Sequence, residues 1–92
     1  MDEVTLIQLK RITGDNGSVF HVIKDPTLPI KEVYVSTVNK NSVKGWKKHA
    51  SMTLNLVVIK GSVKFTIKKD SRVCQHIIGE NNYCRLVVDP DC

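Results

Sequence analysis

The sequence predicts an all-β fold of the sandwich or barrel type, and three observations support that class. Short apolar runs alternate with polar residues at a period of two, which is typical of half-buried strands. Clusters of glycine, asparagine, aspartate and proline separate these runs. No segment has the apolar stripe of an amphipathic helix. Several short strands at this spacing favour packed antiparallel sheets or a barrel.

The individual elements follow in chain order. The predicted strands are residues 4–12, 18–23, 31–38, 52–59, 62–68, 73–78 and 83–88. The turn sequence T-G-D-N-G follows the first strand, and a loop with two prolines follows the second. Segment 31–38 is rich in β-branched residues, and segment 62–68 alternates regularly. Residues 43–48 favour neither a strand nor a helix.

Length and composition predict one small domain that spans residues 1–92. The 41% of hydrophobic and 25% of charged residues are typical of a globular protein. A β domain of this size often depends on a partner subunit, so we expect a homodimer.

No apolar run reaches the roughly 18 residues of a membrane span, and the first residues do not resemble a signal peptide. We therefore expect a cytoplasmic protein with no membrane partner.

The three cysteines predict neither a disulfide framework nor a zinc site. Cys74, Cys84 and Cys92 are odd in number and lie ten and eight residues apart. A disulfide framework uses an even set, and zinc sites use closely spaced pairs such as C-x2-C. Cys74 lies in an apolar strand pattern and is predicted to be a small core residue.

The basic charge of the chain indicates a phosphorylated ligand or a solvated face, and does not indicate a nucleic acid. The net charge is +5, and 11 of the 14 basic residues are lysines. Proteins that bind nucleic acids usually combine arginines with aromatic residues, which make up only 5% of this chain. The basic density is highest at Lys40, Lys44, Lys47 and Lys48.

The sequence resembles the sugar-nucleotide cupins over nearly its whole length. The resemblance is carried by V-Y-V-S-T-V and by V-K-G-W-K-K-H-A-S-M-T-L-N-L-V-V-I-K-G-S-V-K-F-T-I, within residues 32–67. G-D-N-G-S-V-F-H resembles the early D-x-R-G turn of the family, and G-E-N-N-Y-C-R-L-V-V-D-P-D resembles the stretch before its P-P-G-x-W-H-G-F segment. The nearest groups are the dTDP-4-dehydrorhamnose 3,5-epimerase-like proteins and the dTDP-sugar 3,4-ketoisomerases.

This resemblance implies a jelly-roll β-sandwich of the cupin type, usually dimeric, that acts on a nucleotide-linked keto sugar. The family motif G-[LFW]-H-x-[HQ] reads here as G-W-K-K-H, so Lys47 stands in the place of the first His and His49 is retained. Asn16 replaces the Arg of the D-x-R-G turn. The sequence ends before the P-P-G-x-W-H-G-F segment, which favours an incomplete jelly roll.

Two catalytic candidates follow from this motif. Removal of a carbon-bound proton next to a ketone needs a base, and the imidazole of His49 suits that role near neutral pH. The alternative role for His49 is a hydrogen-bonded residue at the mouth of the barrel. Lys47 is the second candidate, because an uncharged lysine amine is also a competent base. Its alternative role is to bond a phosphate.

Three further residues are predicted to bind the substrate. Lys44 stands at the position of a basic residue in the family motif, so the resemblance implies that it holds the diphosphate. Asn55 lies in an apolar strand, where its amide contacts either the ligand or a structural partner. His21 contacts the sugar or a partner subunit, or is an ordinary strand residue. One imidazole with Lys47 and Leu54 at the ligand spacing does not hold a metal, so we expect neither a metal nor another cofactor.

The resemblance therefore predicts an epimerase or isomerase of a dTDP-4-keto-6-deoxyhexose, in polysaccharide biosynthesis. The alternative is a catalytically inactive or truncated cupin that binds a sugar nucleotide or self-associates. Lys47 in the place of the family His favours this alternative.

Overall fold

The computed structural model describes all 92 residues, Met1–Cys92, and contains seven strands and no α-helix. The strands are β1 (Val4–Gln8), β2 (Arg11–Gly14), β3 (Gly17–Phe20), β4 (Leu54–Val57), β5 (Ser62–Lys69), β6 (Arg72–Gly79) and β7 (Cys84–Val88). The all-β class predicted from the sequence is confirmed. A helix with the length and hydropathy of a membrane span does not occur.

The last strand in the chain is the middle strand of the largest sheet. Strands β1, β7 and β4 form a three-stranded antiparallel sheet in that order, while β2–β3 and β5–β6 form two separate hairpins. Leu6 and Leu56 are the partners of Leu86 on its two sides. Because alternate residues of a strand share a face, this register brings the leucines together on one side of the sheet.

The core lies between this sheet and the hairpin β5–β6. Cys84, Leu86 and Val88 of the sheet pack with Ile67 of β5 and Ile78 of β6. Leu86 and Ile78 are completely buried. The side chains of residues 84, 86 and 88 share one face because they are two positions apart. The two layers form a β-sandwich, as the cupin resemblance implies.

Tight turns fix the two hairpins. Asp70 begins the β5–β6 turn with a φ of 55°, a left-handed conformation that aspartate tolerates better than most residues. In the β2–β3 hairpin, Gly17 has a φ of 141°, which favours glycine. Both turns coincide with polar clusters that the sequence predicts as turns.

The first predicted strand, residues 4–12, is interrupted, because the chain changes its pairing partner. The Leu9 amide donates to the Tyr83 carbonyl at 3.1 Å and so continues the pairing with β7. The Lys10 carbonyl already accepts from the His21 amide at 2.9 Å, beside β3. A period-two pattern reports which face is buried but not which strand pairs with it.

The predicted strand at residues 31–38 was wrong, since the structure has no strand between β3 and β4. The segment keeps its alternating sequence, but none of its backbone groups bonds to another backbone group. A strand requires a partner for its N–H and C=O groups, and this chain supplies none here. The predicted strand 52–59 is likewise shorter in the structure, Leu54–Val57.

Candidate functional site

The surface of the molecule has two open cavities that are lined mainly by polar and charged side chains. The first, the hairpin cavity, has a volume of about 460 Å³ and is lined by Arg11, Thr13, Ser18, Phe20, Ile59, Lys60 and Glu80. The second, the lysine cavity, has a volume of about 430 Å³ and is lined by Trp46, Lys47, Lys48, Lys68, Lys69, Asp70, Asp91 and Cys92. Both are large enough to hold part of a small ligand.

The hairpin cavity is built on one face of β2–β3. Arg11 pairs with Phe20, and Thr13 pairs with Ser18, so all four residues share that face. The Arg11 guanidinium donates to the Glu80 carbonyl at 2.7 Å. This bond orients the guanidinium beside two hydroxyl groups and an aromatic ring, an arrangement that can bind a flat anionic ligand.

Tyr83 forms the support beneath this cavity. Its ring lies 5.7 Å from the Phe20 ring and 5.9 Å from the Arg11 guanidinium, measured to the ring centroid. Its hydroxyl donates to the His21 carbonyl at 2.9 Å. Burial raises the pKa of the Tyr83 phenol, and the nearby charge of Arg11 opposes that shift. The phenol is therefore neutral at physiological pH and remains a hydrogen-bond donor.

The lysine cavity joins three parts of the chain that are distant in sequence. Lys47 and Lys48 come from the loop before β4, Lys68 and Lys69 from the end of β5, Asp70 from the β5–β6 turn, and Asp91 and Cys92 from the last residues. The Asp91 amide donates to the His49 carbonyl at 2.7 Å, which places the backbone of His49 next to the cavity.

One ion pair closes part of this cavity and leaves the rest positive. Lys48 Nζ lies 3.0 Å from Asp91 Oδ1. This hydrogen bond raises the pKa of Lys48 and lowers the pKa of Asp91, so both are charged at neutral pH. Lys47, Lys68 and Lys69 have no ion-pair partner. The cavity therefore suits an anionic group such as a phosphate.

Asn55 and Arg85 form a separate polar pair within the three-stranded sheet. Arg85 Nη1 donates to Asn55 Oδ1 at 2.5 Å. Arg85 is buried, and its Nε has no hydrogen-bond partner. Of the two roles predicted for Asn55, the structure shows a structural hydrogen bond, since this amide is the acceptor for a buried guanidinium.

Asn55→Ala is expected to lower the free energy of unfolding by about 1–3 kcal/mol, because Arg85 would lose its acceptor. Chemical denaturation followed by circular dichroism at a fixed protein concentration measures the loss. Gln75→Ala is the matched control, since Gln75 is an exposed amide whose bond to Thr66 is 3.4 Å long; a change within about 0.5 kcal/mol is expected. Equal losses in the two variants would contradict the structural role of Asn55.

The predicted site residues do not all meet in one cavity of a single chain. Lys47 lines the lysine cavity and His49 adjoins it through Asp91. His21 is half-buried and adjoins the hairpin cavity through its bond to Tyr83. Lys44 lies in an exposed loop and donates to Ser36 Oγ at 3.0 Å.

Sequence reasoning missed several residues that form the two cavities. Arg11 and Tyr83 meet across 72 positions of sequence, and Lys68 and Lys69 reach Lys47 from another element. The sequence did contain one indication of the hairpin cavity. Arg11 lies within an apolar strand pattern, and the chain has only two other arginines, Arg72 and Arg85. No group of three or more His, Cys, Asp or Glu residues is placed to hold a metal ion.

Comparison with known proteins identifies the family. Residues 2–92 match the family described as FdtA: WxcM-like, C-terminal. The chain belongs to this family. It is a family of sugar-nucleotide cupins, so the resemblance inferred from the sequence is confirmed at that level. Searches of curated proteins and of solved structures found no match.

The family match covers every element that forms the two cavities of this WxcM-like domain. It includes the hairpin β2–β3, the loop with Lys44 and His49, and all strands of the sandwich. The candidate residues are therefore to be interpreted as parts of a sugar-nucleotide cupin.

Proposed function

We propose that this protein removes a proton next to the ketone of a dTDP-linked 4-keto-6-deoxyhexose, as an epimerase or isomerase in carbohydrate biosynthesis. The observation that carries the proposal is the lysine cavity beside His49, in a chain that belongs to the sugar-nucleotide cupins. Three lysines without ion-pair partners suit the diphosphate of such a substrate. The flat ring of Trp46 adds an apolar surface.

In the proposed reaction, His49 takes the proton from the carbon next to the C4 ketone. The electron pair of the broken C–H bond moves onto the ketone oxygen and forms an enolate. A proton returned to carbon completes an epimerisation, with no net oxidation or reduction. Lys47 stabilises the enolate charge or serves as the base itself, and stabilisation of such charge is usually the largest catalytic effect.

Lys44 and His21 are the residues that we propose to contact the substrate, whereas Asn55 is the acceptor for Arg85. Lys44 is exposed, and its ammonium group is free to leave Ser36 for a phosphate.

The proposed proton transfer requires no cofactor. We further propose a homodimer and a cytoplasmic location. The three cysteines are free thiols, which suits a reducing compartment.

Proton NMR of dTDP-4-keto-6-deoxyglucose in D2O with the purified protein tests the reaction. We expect deuterium at C3, C4 or C5 at a rate above the protein-free control. His49→Ala is expected to lower that rate at least about 100-fold, because it removes the base. His76→Ala is the matched control, since His76 lies on β6 opposite Phe65 and away from both cavities; its rate should stay unchanged.

The position of the label distinguishes the reactions. Deuterium at both C3 and C5 supports an epimerase, whereas deuterium at C4 with the ketone moved to C3 supports a 3,4-ketoisomerase. Equal rates in the two histidine variants would exclude His49 as the base. Absence of exchange above the control would overturn the catalytic proposal.

The second candidate function is a cupin that binds a sugar nucleotide without turning it over. Lys47 in the place of the family histidine favours this candidate. Titration calorimetry with dTDP separates the two functions, since binding without isotope exchange supports this candidate alone. Self-association, the other part of this alternative, is favoured by exposed apolar side chains such as Val33, Val35 and Val43.

A further inference from the structure

The hairpin cavity and the lysine cavity lie at opposite ends of the β5–β6 hairpin. Lys60 and Glu80, which line the hairpin cavity, stand just outside the open end of this hairpin. Lys68 and Lys69, which line the lysine cavity, stand next to its turn. Each strand has eight residues, so the two ends are roughly 20–25 Å apart. A single pentose joins the base of a sugar nucleotide to its diphosphate and spans a small part of that distance. A sugar nucleotide in the lysine cavity therefore leaves the hairpin cavity of the same chain free.

The Arg11 guanidinium is fixed in place and keeps donors for a ligand. Its Nη1 donates to the Glu80 carbonyl at 2.7 Å, and its central carbon lies 5.9 Å from the centroid of the Tyr83 ring. A guanidinium has five N–H donors in a rigid fork, so this bond leaves most of them unused. Two parallel donors of such a fork match the two oxygens of a carboxylate. Because the fork is already held, pairing with a carboxylate requires little further ordering of the side chain.

Two hydroxyl groups and an excess of positive charge lie beside this guanidinium. Thr13 and Ser18 are directly opposite each other on β2 and β3 and are exposed, so their hydroxyls are accessible to a ligand. Lys60 has no ion-pair partner, and the Glu80 carboxylate accepts from the Gly61 amide at 3.1 Å. Two cationic side chains and one carboxylate leave the cavity with one positive charge in excess, which suits a monoanion.

An apolar surface completes the hairpin cavity. Phe20 is 37% exposed and Ile59 is 53% exposed. Phe20 shares a face with Arg11, because the two residues are cross-strand partners. The Phe20 ring packs against the Tyr83 ring at a centroid distance of 5.7 Å. A supported aromatic ring next to a fixed guanidinium suits a ligand whose flat apolar body adjoins its charged group.

We propose that the hairpin cavity binds an aromatic monocarboxylate, at a site separate from the one proposed for the sugar nucleotide. The carboxylate pairs with Arg11 and accepts from Thr13 or Ser18, while the aromatic ring lies against Phe20 and Ile59. The cavity volume of about 460 Å³ lies in the range of small-molecule sites. This inference goes beyond the proposed catalysis and does not depend on it, because no residue that lines the hairpin cavity takes part in that reaction.

Benzoate and two analogues test the site on the natural chain. Two-dimensional amide NMR of the full chain at constant ionic strength follows each titration. We expect saturable shifts with benzoate at the amides of the hairpin β2–β3, and none at the amides of residues 68–70. Benzamide has the ring without the charge, and acetate has the charge without the ring, so each should bind at least about tenfold more weakly. Equal affinity for benzoate and either analogue, or no saturable shift in the hairpin, would overturn the inference.

Arg11→Gln is expected to raise the dissociation constant for benzoate at least about tenfold, because an amide lacks both the charge and the fork. Lys10→Gln is the matched control, since Lys10 is the adjacent exposed cation and does not line the cavity; we expect a change of less than about twofold. Circular dichroism checks that both variants fold. Equal losses in the two variants would mean that benzoate responds only to net charge, and would contradict the site.

Two more variants test the paired contact and the separation of the two cavities. Arg11→Lys keeps the charge but lacks the planar fork, so it should bind benzoate more weakly than the natural chain. An unchanged dissociation constant would exclude the paired contact. Lys68→Gln removes a cation from the lysine cavity and should leave benzoate binding unchanged. A loss as large as that of Arg11→Gln would show that the two cavities are not separate sites.

Discussion

Leu86→Ala is expected to lower the free energy of unfolding by about 3–4 kcal/mol. Leu86 is completely buried in the middle strand of the sheet, where it packs against Ile67 and Ile78. Its removal leaves a cavity between two sheet layers that are held by backbone hydrogen bonds on both sides, so the site cannot collapse to fill it. Because a domain of this size is stable by only about 5–14 kcal/mol, the loss is a large fraction of the total.

The measurement is urea denaturation followed by far-ultraviolet circular dichroism at a fixed protein concentration. Leu6→Ala is the matched control, since Leu6 is the cross-strand partner of Leu86 but is 41% exposed. We expect it to cost about 1 kcal/mol, in proportion to the smaller area that it buries. A loss for Leu86→Ala no larger than that of the control would show that the core lies elsewhere.

Gly79→Ala is expected to have a similarly large effect, roughly 3–5 kcal/mol, for a steric reason. A Cβ atom at Gly79 would lie 2.1 Å from the Gly61 carbonyl oxygen and 2.8 Å from the Ser62 Cα. Both neighbours are backbone atoms at the base of the β5–β6 hairpin, so neither can rotate away. Gly79 also has a φ of 157°, which L-residues rarely adopt.

Gly17→Ala separates the steric contact from the backbone conformation. Gly17 has a similar φ of 141°, but a Cβ there would meet nothing within 4 Å. We expect a loss of about 1–2 kcal/mol for this variant, from conformational strain alone. Thermal denaturation measures both losses of stability, and the difference between them is the cost of the steric contact between a Cβ at residue 79 and Gly61. Equal melting temperatures would mean that the β4–β5 turn moves to accept the methyl group.

The two strands of the β5–β6 hairpin were predicted almost to the residue. β5 extends one residue beyond its predicted range and β6 extends one residue at each end, because a regular period and a polar two-residue turn define both the strands and their partner. Segment 31–38 was predicted as a strand because of its alternating pattern, yet it has no pairing partner within the chain. Periodicity describes a strand's two faces, whereas its existence depends on a second backbone.

The candidate site was less accessible to sequence reasoning. His49 and Lys47 were found because they fall in one short motif. The meeting of Lys47 with Lys68, and of Arg11 with Tyr83, depends on how distant elements pack. No local pattern contains that information. Asn55 was identified as a polar residue in an apolar strand, but only the structure shows that Arg85 is its partner.

The position of β7 determines when the sheet can assemble during synthesis. Strands β1 and β4 lie on either side of β7 and do not pair with each other, although both are made earlier. Strands β1 and β4 are therefore both synthesised before β7, the strand with which each of them pairs. The β5–β6 hairpin, whose partners are adjacent in sequence, can form first and offer an apolar face. We expect the nascent chain to keep its core open, and to need protection from aggregation, until residues 84–88 have left the exit tunnel.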